Sequence, residues 1–272
     1  MEENYQDQPP QHEPIEADYE PSHSDKLVGV FTEPANTFEE TSKFPPKAID
    51  WLIPVLIVIV VAAISQYLIM SNPEIRLAVV EKQMAQIEER FDGMVESGQM
   101  TQDQADQQME QIRGGMEDGM GNIFFALIGI VIVTFIVFFV VSAVFFIFAK
   151  FVFKDTGTYS TAMVAYGLPY YIVVLQLIVM VILAFVMNRA LSDTSVAALM
   201  DVDKSTILGF LLGKLDVFSI WFYAVVSTAF AKMFKSVSYG KYFIMVFGLW
   251  IGFTLLMFFL AQVFPFLRWF GM

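Results

Sequence analysis

Histidine, cysteine, methionine and the carboxylates are the residues that could carry chemistry in this chain, and they are placed unevenly. The 272 residues contain no cysteine, which removes disulfides, thiolate metal ligands and cysteine nucleophiles. The only histidines, His12 and His23, fall in the N-terminal tail; a ligand pair there lacks the positioned surroundings a metal needs, and both are expected to be solvated. Six of the sixteen methionines (Met84, Met94, Met100, Met109, Met116 and Met120) cluster in one segment, and thioether sulfur suits copper(I). Several of them stand where a helix seam needs an apolar residue, so adaptable packing is the preferred reading and no metal is assigned. No zinc-protease His-Glu-x-x-His, Gly-x-Ser-x-Gly elbow or phosphate-cradling Gly-x-x-x-x-Gly-Lys-Ser/Thr occurs. General-base work would therefore rest on carboxylates, and none falls inside the long apolar blocks. No catalytic residue and no cofactor is expected; the chain reads as a non-enzyme.

The elements that would position any such residue are membrane spans. The chain is 56% hydrophobic and only 16% charged, with the apolar residues gathered in long uncharged blocks. Its net charge of −12 argues against nucleic acid, whose binders present basic surface. Span one is 51–70, with Pro54 in what is expected to be its first turn, where a missing N–H costs least. Span two is 123–149, and span three is 162–187, with Pro169 expected to kink its early part. The fourth block is short: an interfacial helix at 205–213 is expected to lead into span four at 215–232, with Asp216 capping it. Span five is 242–264, carrying Gly248 and Gly252, a spacing that lets helices approach closely, within the monomer rather than between copies. Weak polar groups in the spans, Ser142, Gln176 and Thr254 among them, give little sign of a solute path.

Lys and Arg in the short loops set the expected orientation. Loop 232–241 has Lys232, Lys235 and Lys241 without an acid, and loop 150–161 has Lys150 and Lys154 against Asp155; both should be cytoplasmic. Parity puts the N-terminus on the same side and the C-terminus outside. Residues 1–25 hold eight acids, four prolines and no Lys or Arg, and this tail is expected to be disordered. Residues 26–50 form an entry segment in which Pro34, Pro45 and Pro46 forbid one continuous helix, while Val30, Phe31, Phe38 and Phe44 could lie on the cytoplasmic membrane surface. Segment 71–122 carries four bases against eleven acids and reads as a helical hairpin. Asn72-Pro73 starts its first helix, whose seam is Leu77, Val80, Met84, Ile87, Phe91 and Met94. Thr101 with Gln104 forms a capping box for the second, whose seam is Ala105, Met109, Ile112 and Met116. The fold class is thus an all-α membrane protein of five transmembrane helices, with an extracytoplasmic helical hairpin inserted between spans one and two.

Several segments, in this order, resemble the prokaryotic branch of the Yip-domain integral membrane family. Val28-Gly-Val-Phe31-Thr-Glu33-Pro34-Ala-Asn-Thr-Phe38, ahead of Trp51-Leu-Ile-Pro54, looks like the family's entry segment. Tyr166-Gly-Leu-Pro169 resembles its Tyr-x-x-Pro, and Leu215-Asp216-Val-Phe-Ser-Ile-Trp221 the segment opening its fourth span. The likeness runs over roughly 27–267, with the hairpin looking like an insertion. Eukaryotic members bind Rab-type GTPases through a chain that carries an Asp-Leu-Tyr-Gly-Pro segment, absent here, so that interaction is not carried over. What the resemblance implies is a non-catalytic protein of a bacterial cytoplasmic membrane. It would act as a membrane-organising scaffold or partner-binding factor, in contact with the bilayer and with a protein partner through hairpin 73–118 or the tail, or with a second copy of itself. The alternative is an oligomeric pathway for a small solute or ion.

Overall fold

The structure, a computed structural model, describes residues 20–117 and 120–264, all helix and connections with no strand among them. The tail 1–19, with His12 in it, lies outside the described residues. The helices are α1 (His23–Thr32), α2 (Pro34–Thr41), α3 (Ala48–Ser71), α4 (Pro73–Glu96), α5 (Gln102–Glu117) and α6 (Met120–Ile147), the last ending in a π turn, Phe148–Val152. They continue as α7 (Tyr159–Gly167), α8 (Tyr170–Met187), α9 (Val196–Leu199), α10 (Ile207–Gly213), α11 (Val217–Met233) and α12 (Tyr239–Val263). Four stretches are long and apolar enough to cross a membrane: 48–71, 128–152, 159–187 and 239–263. A fifth is added if α10 and α11, bent by 59°, form one broken span.

The third span begins earlier than expected. A Thr158 capping box with Thr161 starts α7 at Tyr159, and the helix breaks at Leu168–Pro169 before α8 resumes. The first span also starts earlier, at Ala48, so Pro54 lies nearly two turns inside α3 and not in its first turn. The proline leaves the Asp50 carbonyl without its helical donor. Asp50, expected to precede the span, is therefore inside α3, and it is buried.

α3 and α8 lie side by side over their lengths. His23 of α1 bridges Asp50 of the first to Tyr171 of the second at one end, and Asn72 donates to Asn188 (3.3 Å) at the other. Asn188 ends α8 in the left-handed region (φ 49°), which asparagine tolerates. Trp51 stacks on Phe138 of α6, and Gly167 lets α7 come so near that an added Cβ would sit 2.4 Å from the Trp51 Cβ. Tyr166 and Tyr170 place their rings against Phe138 and Phe222, joining α6, α7, α8 and α11 into one aromatic core.

α4 and α5 form the αα-hairpin. Asn72 accepts from the Glu74 and Ile75 N–H groups, Thr101 and Gln104 make the reciprocal cap, and Gly98 takes the positive φ (73°) of the connection. The seam is shorter than the heptad pattern suggested. Phe91 and Ala105 are buried, but Leu77 is exposed, because Ile75 instead turns back onto Ile69 and Ala184 at the bundle end.

Candidate functional site

The residues singled out by resemblance do not converge on a cleft: Phe31, Glu33, Pro34 and Phe38 belong to a cap formed by α1 and α2, with Trp221 against it, while Tyr166 lies in the aromatic core and Asp216 in a separate polar cluster. Helix α1 opens inside the segment expected to be disordered. The Ser22 hydroxyl caps it by accepting the Asp25 N–H, and Asp25 accepts from both the Ser22 N–H and hydroxyl, which holds its carboxyl below the usual range. Glu33 ends α1 and leads into α2, with Pro34 at the first helical position, where proline is favoured. The Glu33 carbonyl accepts the Thr37 hydroxyl, and α2 folds back on α1. A Cβ on Gly29 would fall 2.0 Å from the Thr37 Oγ1, so only glycine permits this approach.

The cap's inner face is spent on the protein. Val30 and Phe38 are fully buried, and the Phe31 ring meets Trp221 of α11 edge-on at 5.7 Å. This corrects the expectation that these apolar residues lie on the membrane surface: the bundle itself covers them. Burying Val30 and Phe38 stabilises the docked state by about 3–6 kcal/mol before chain entropy is subtracted.

A polar latch completes the junction. Lys26 donates to Asp50 Oδ2 at 2.7 Å, with side chains only 3% and 2% exposed. His23, expected to be a solvated tail residue, lies 3.3 Å from Asp50 Oδ1 through Nδ1 and 2.6 Å from the Tyr171 hydroxyl through Nε2. Glu20 stands 3.9 Å from Lys26 and pairs with Lys47. Farther along, Lys232 of α11 grips Glu39 of α2 and keeps that carboxyl below its ordinary value. None of His23, Lys26 and Asp50 was marked as functional by spacing. The available signal was that Lys26 is the first base of the chain and Asp50 abuts an apolar block.

A second polar cluster lies where α10 bends into α11. Asp216, 2% exposed, caps α11 as expected by accepting the Phe218 N–H at 3.2 Å. It also accepts from the Thr194 hydroxyl (2.6 Å), Gln176 Nε2 (2.8 Å) and the Ser219 hydroxyl (2.5 Å). Both carboxylate oxygens thus hold two donors each, which fills their acceptor capacity and makes the cluster a structural knot. Nearby, burial pushes Asp193 up, but bonds from Lys204 and from the Ser195 hydroxyl and N–H outweigh it and leave the carboxyl lowered.

A Cβ on Gly248 or Gly252 of α12 would have no neighbour within 4 Å, so among the described residues no helix uses their approach surface. This departs from the expectation of packing inside the monomer. Among the described residues no group of three or more His, Cys, Asp or Glu side chains is arranged to hold a metal.

Fold and site together define a polytopic helical membrane protein with a folded cap latched to its bundle. The match to the Yip1 domain model over residues 28–261, from the first turns of the cap to near the end of α12, shows that the chain belongs to the Yip1 domain family. That family is known for protein interactions and is not a known enzyme family. No curated protein and no solved structure matches the chain.

Proposed function

We propose that this protein is a non-catalytic scaffold of a bacterial cytoplasmic membrane that recruits a basic protein partner to its cap. The observation that carries this reading is the division of the cap into two faces. The inner face is consumed by the Lys26–Asp50 latch and by Val30 and Phe38. The outer face exposes Asp25 and Glu33 with Ser24, Thr32 and Asn36, and Val28 is its single large exposed hydrophobe. A surface of fixed shape and one charge sign suits electrostatic recognition, and the eight acids of residues 1–25 extend the same field.

The basic loops support a cytoplasmic cap. Lys232 contacts α2, and Lys241 pairs with Asp155 (2.6 Å), so the lysine-bearing loops lie at the cap end of the bundle. In this orientation the hairpin α4–α5 stands on the extracytoplasmic side, where its ten acids offer a second docking element. Photoreactive residues at Asn36 and at Gln86 in native membranes test the two sites. An Asn36 adduct that weakens with rising salt and is lost on Glu33→Lys supports the reading. A salt-independent adduct, or one untouched by Glu33→Lys, counts against it.

A further inference from the structure

At the end of the bundle opposite the cap, α10 and α12 enclose a cleft of about 90 Å³. At its mouth Gln262 donates to the Ser205 carbonyl at 2.9 Å; within it the Phe210 and Phe258 rings meet at 4.8 Å. Two ammonium groups reach this space. Lys204 is neutralised by Asp193 and also donates to Ser192. Lys214 has no ion pair among the described residues: its Nζ lies over the Phe210 ring (5.0 Å) and the Trp250 ring (5.8 Å), and the Asp193 carboxylate, already bonded to Lys204, acts on it only at a distance, so one carboxylate serves two ammonium groups. The cleft therefore carries one uncompensated positive charge between apolar walls. Ring faces compensate an ammonium only in part, and a desolvated charge is costly without a counter-ion.

We propose that this cleft binds the phosphate of an anionic phospholipid, which supplies the missing charge to Lys214. Charge and size agree. A phosphodiester carries one negative charge, matching the single excess cation. The space holds a phosphate or a few waters but no larger headgroup, so the remainder of the ligand must lie outside. Leu208 and Leu211, exposed on the same α10, offer an apolar surface for acyl chains. A zwitterionic choline or ethanolamine headgroup brings a cation of its own and adds no net negative charge, so a headgroup without an amine is preferred. This site is independent of the cap and of the scaffold reading.

The test uses the full-length protein in non-ionic detergent, offered phosphatidylglycerol and phosphatidylcholine in equal amounts and read by native mass spectrometry. One phosphatidylglycerol is expected to be retained about tenfold over phosphatidylcholine. Lys214→Met, which keeps the aliphatic stem, should lower that retention about tenfold, the worth of one charge-assisted bond. A second readout needs no variant: acylation of Lys214 in the unaltered protein should fall when phosphatidylglycerol is added and not when inorganic phosphate is added. Equal retention of the two lipids, or retention unaffected by Lys214→Met, overturns the proposal. Protection by inorganic phosphate as strong as by lipid also overturns it, in favour of a free anion.

Discussion

Replacing Lys26 by Met should release the cap. The substitution keeps the chain length and apolar stem while leaving Asp50, 2% exposed, without its ammonium. Removing one partner of a buried ion pair costs about 3–5 kcal/mol, because the survivor keeps its desolvation penalty without its Coulombic return. The docked cap gains about 3–6 kcal/mol from Val30 and Phe38, so a loss of this size brings docking near balance. The readout is amide hydrogen exchange over residues 24–41 in detergent or nanodiscs. Exchange should accelerate about 10²- to 10⁴-fold in the cap, while α8 and α12 keep their protection. Asp50→Leu leaves Lys26 with Glu20 at 3.9 Å and should cost less. The double variant Lys26→Met/Asp50→Leu removes both charges and should recover most of the protection, because an apolar pair often replaces a buried ion pair without loss. If cap exchange is unchanged in Lys26→Met, or the double variant is as open as the worse single, the latch does not hold the cap.

Three further outcomes follow from the same geometry. Gly29→Val would drive side-chain atoms into Thr37 and should destabilise the α1–α2 junction by about 1–3 kcal/mol, seen as faster exchange confined to the cap. Asp216→Ala would strand the Thr194, Gln176, Ser219 and Phe218 donors and should lower thermal stability by about 3 kcal/mol or more, whereas Gln176→Leu should cost about 1–2 kcal/mol. Asp193 has a folded-state pKa below its ordinary value, so its stabilising contribution is complete above the normal carboxylate range and fades as pH falls through the lowered one. Thermal melts should therefore show acid destabilisation below about pH 4, and Asp193→Asn should blunt that slope.

The spans were legible because continuous apolar blocks need no tertiary information; lipid imposes them. Caps were legible for the same local reason: Asn72-Pro73, Thr101 with Gln104, and Asp216 each satisfy donors within one turn. Helix starts upstream of the blocks were not, since Ala48 and Tyr159 begin α3 and α7 in sequence too polar to read as span. The latch escaped notice because its members are 148 residues apart at the extreme, His23 to Tyr171, and a lone His, Lys or Asp at a polar boundary looks solvated until the fold closes over it. The apolar residues of the entry segment were recognised, but not their destination. A face that suits a membrane surface suits a bundle equally, and Val30 and Phe38 took the bundle.

The central claim is that a latched cap presents a fixed acidic surface to a protein partner. Its most direct test is photocrosslinking from Asn36 in native membranes, comparing the unaltered chain with Lys26→Met at equal membrane levels. The account predicts a partner adduct in the first that falls at least tenfold in the second and returns in Lys26→Met/Asp50→Leu. An adduct of equal yield in all three would contradict it, because recognition would then not depend on the docked cap.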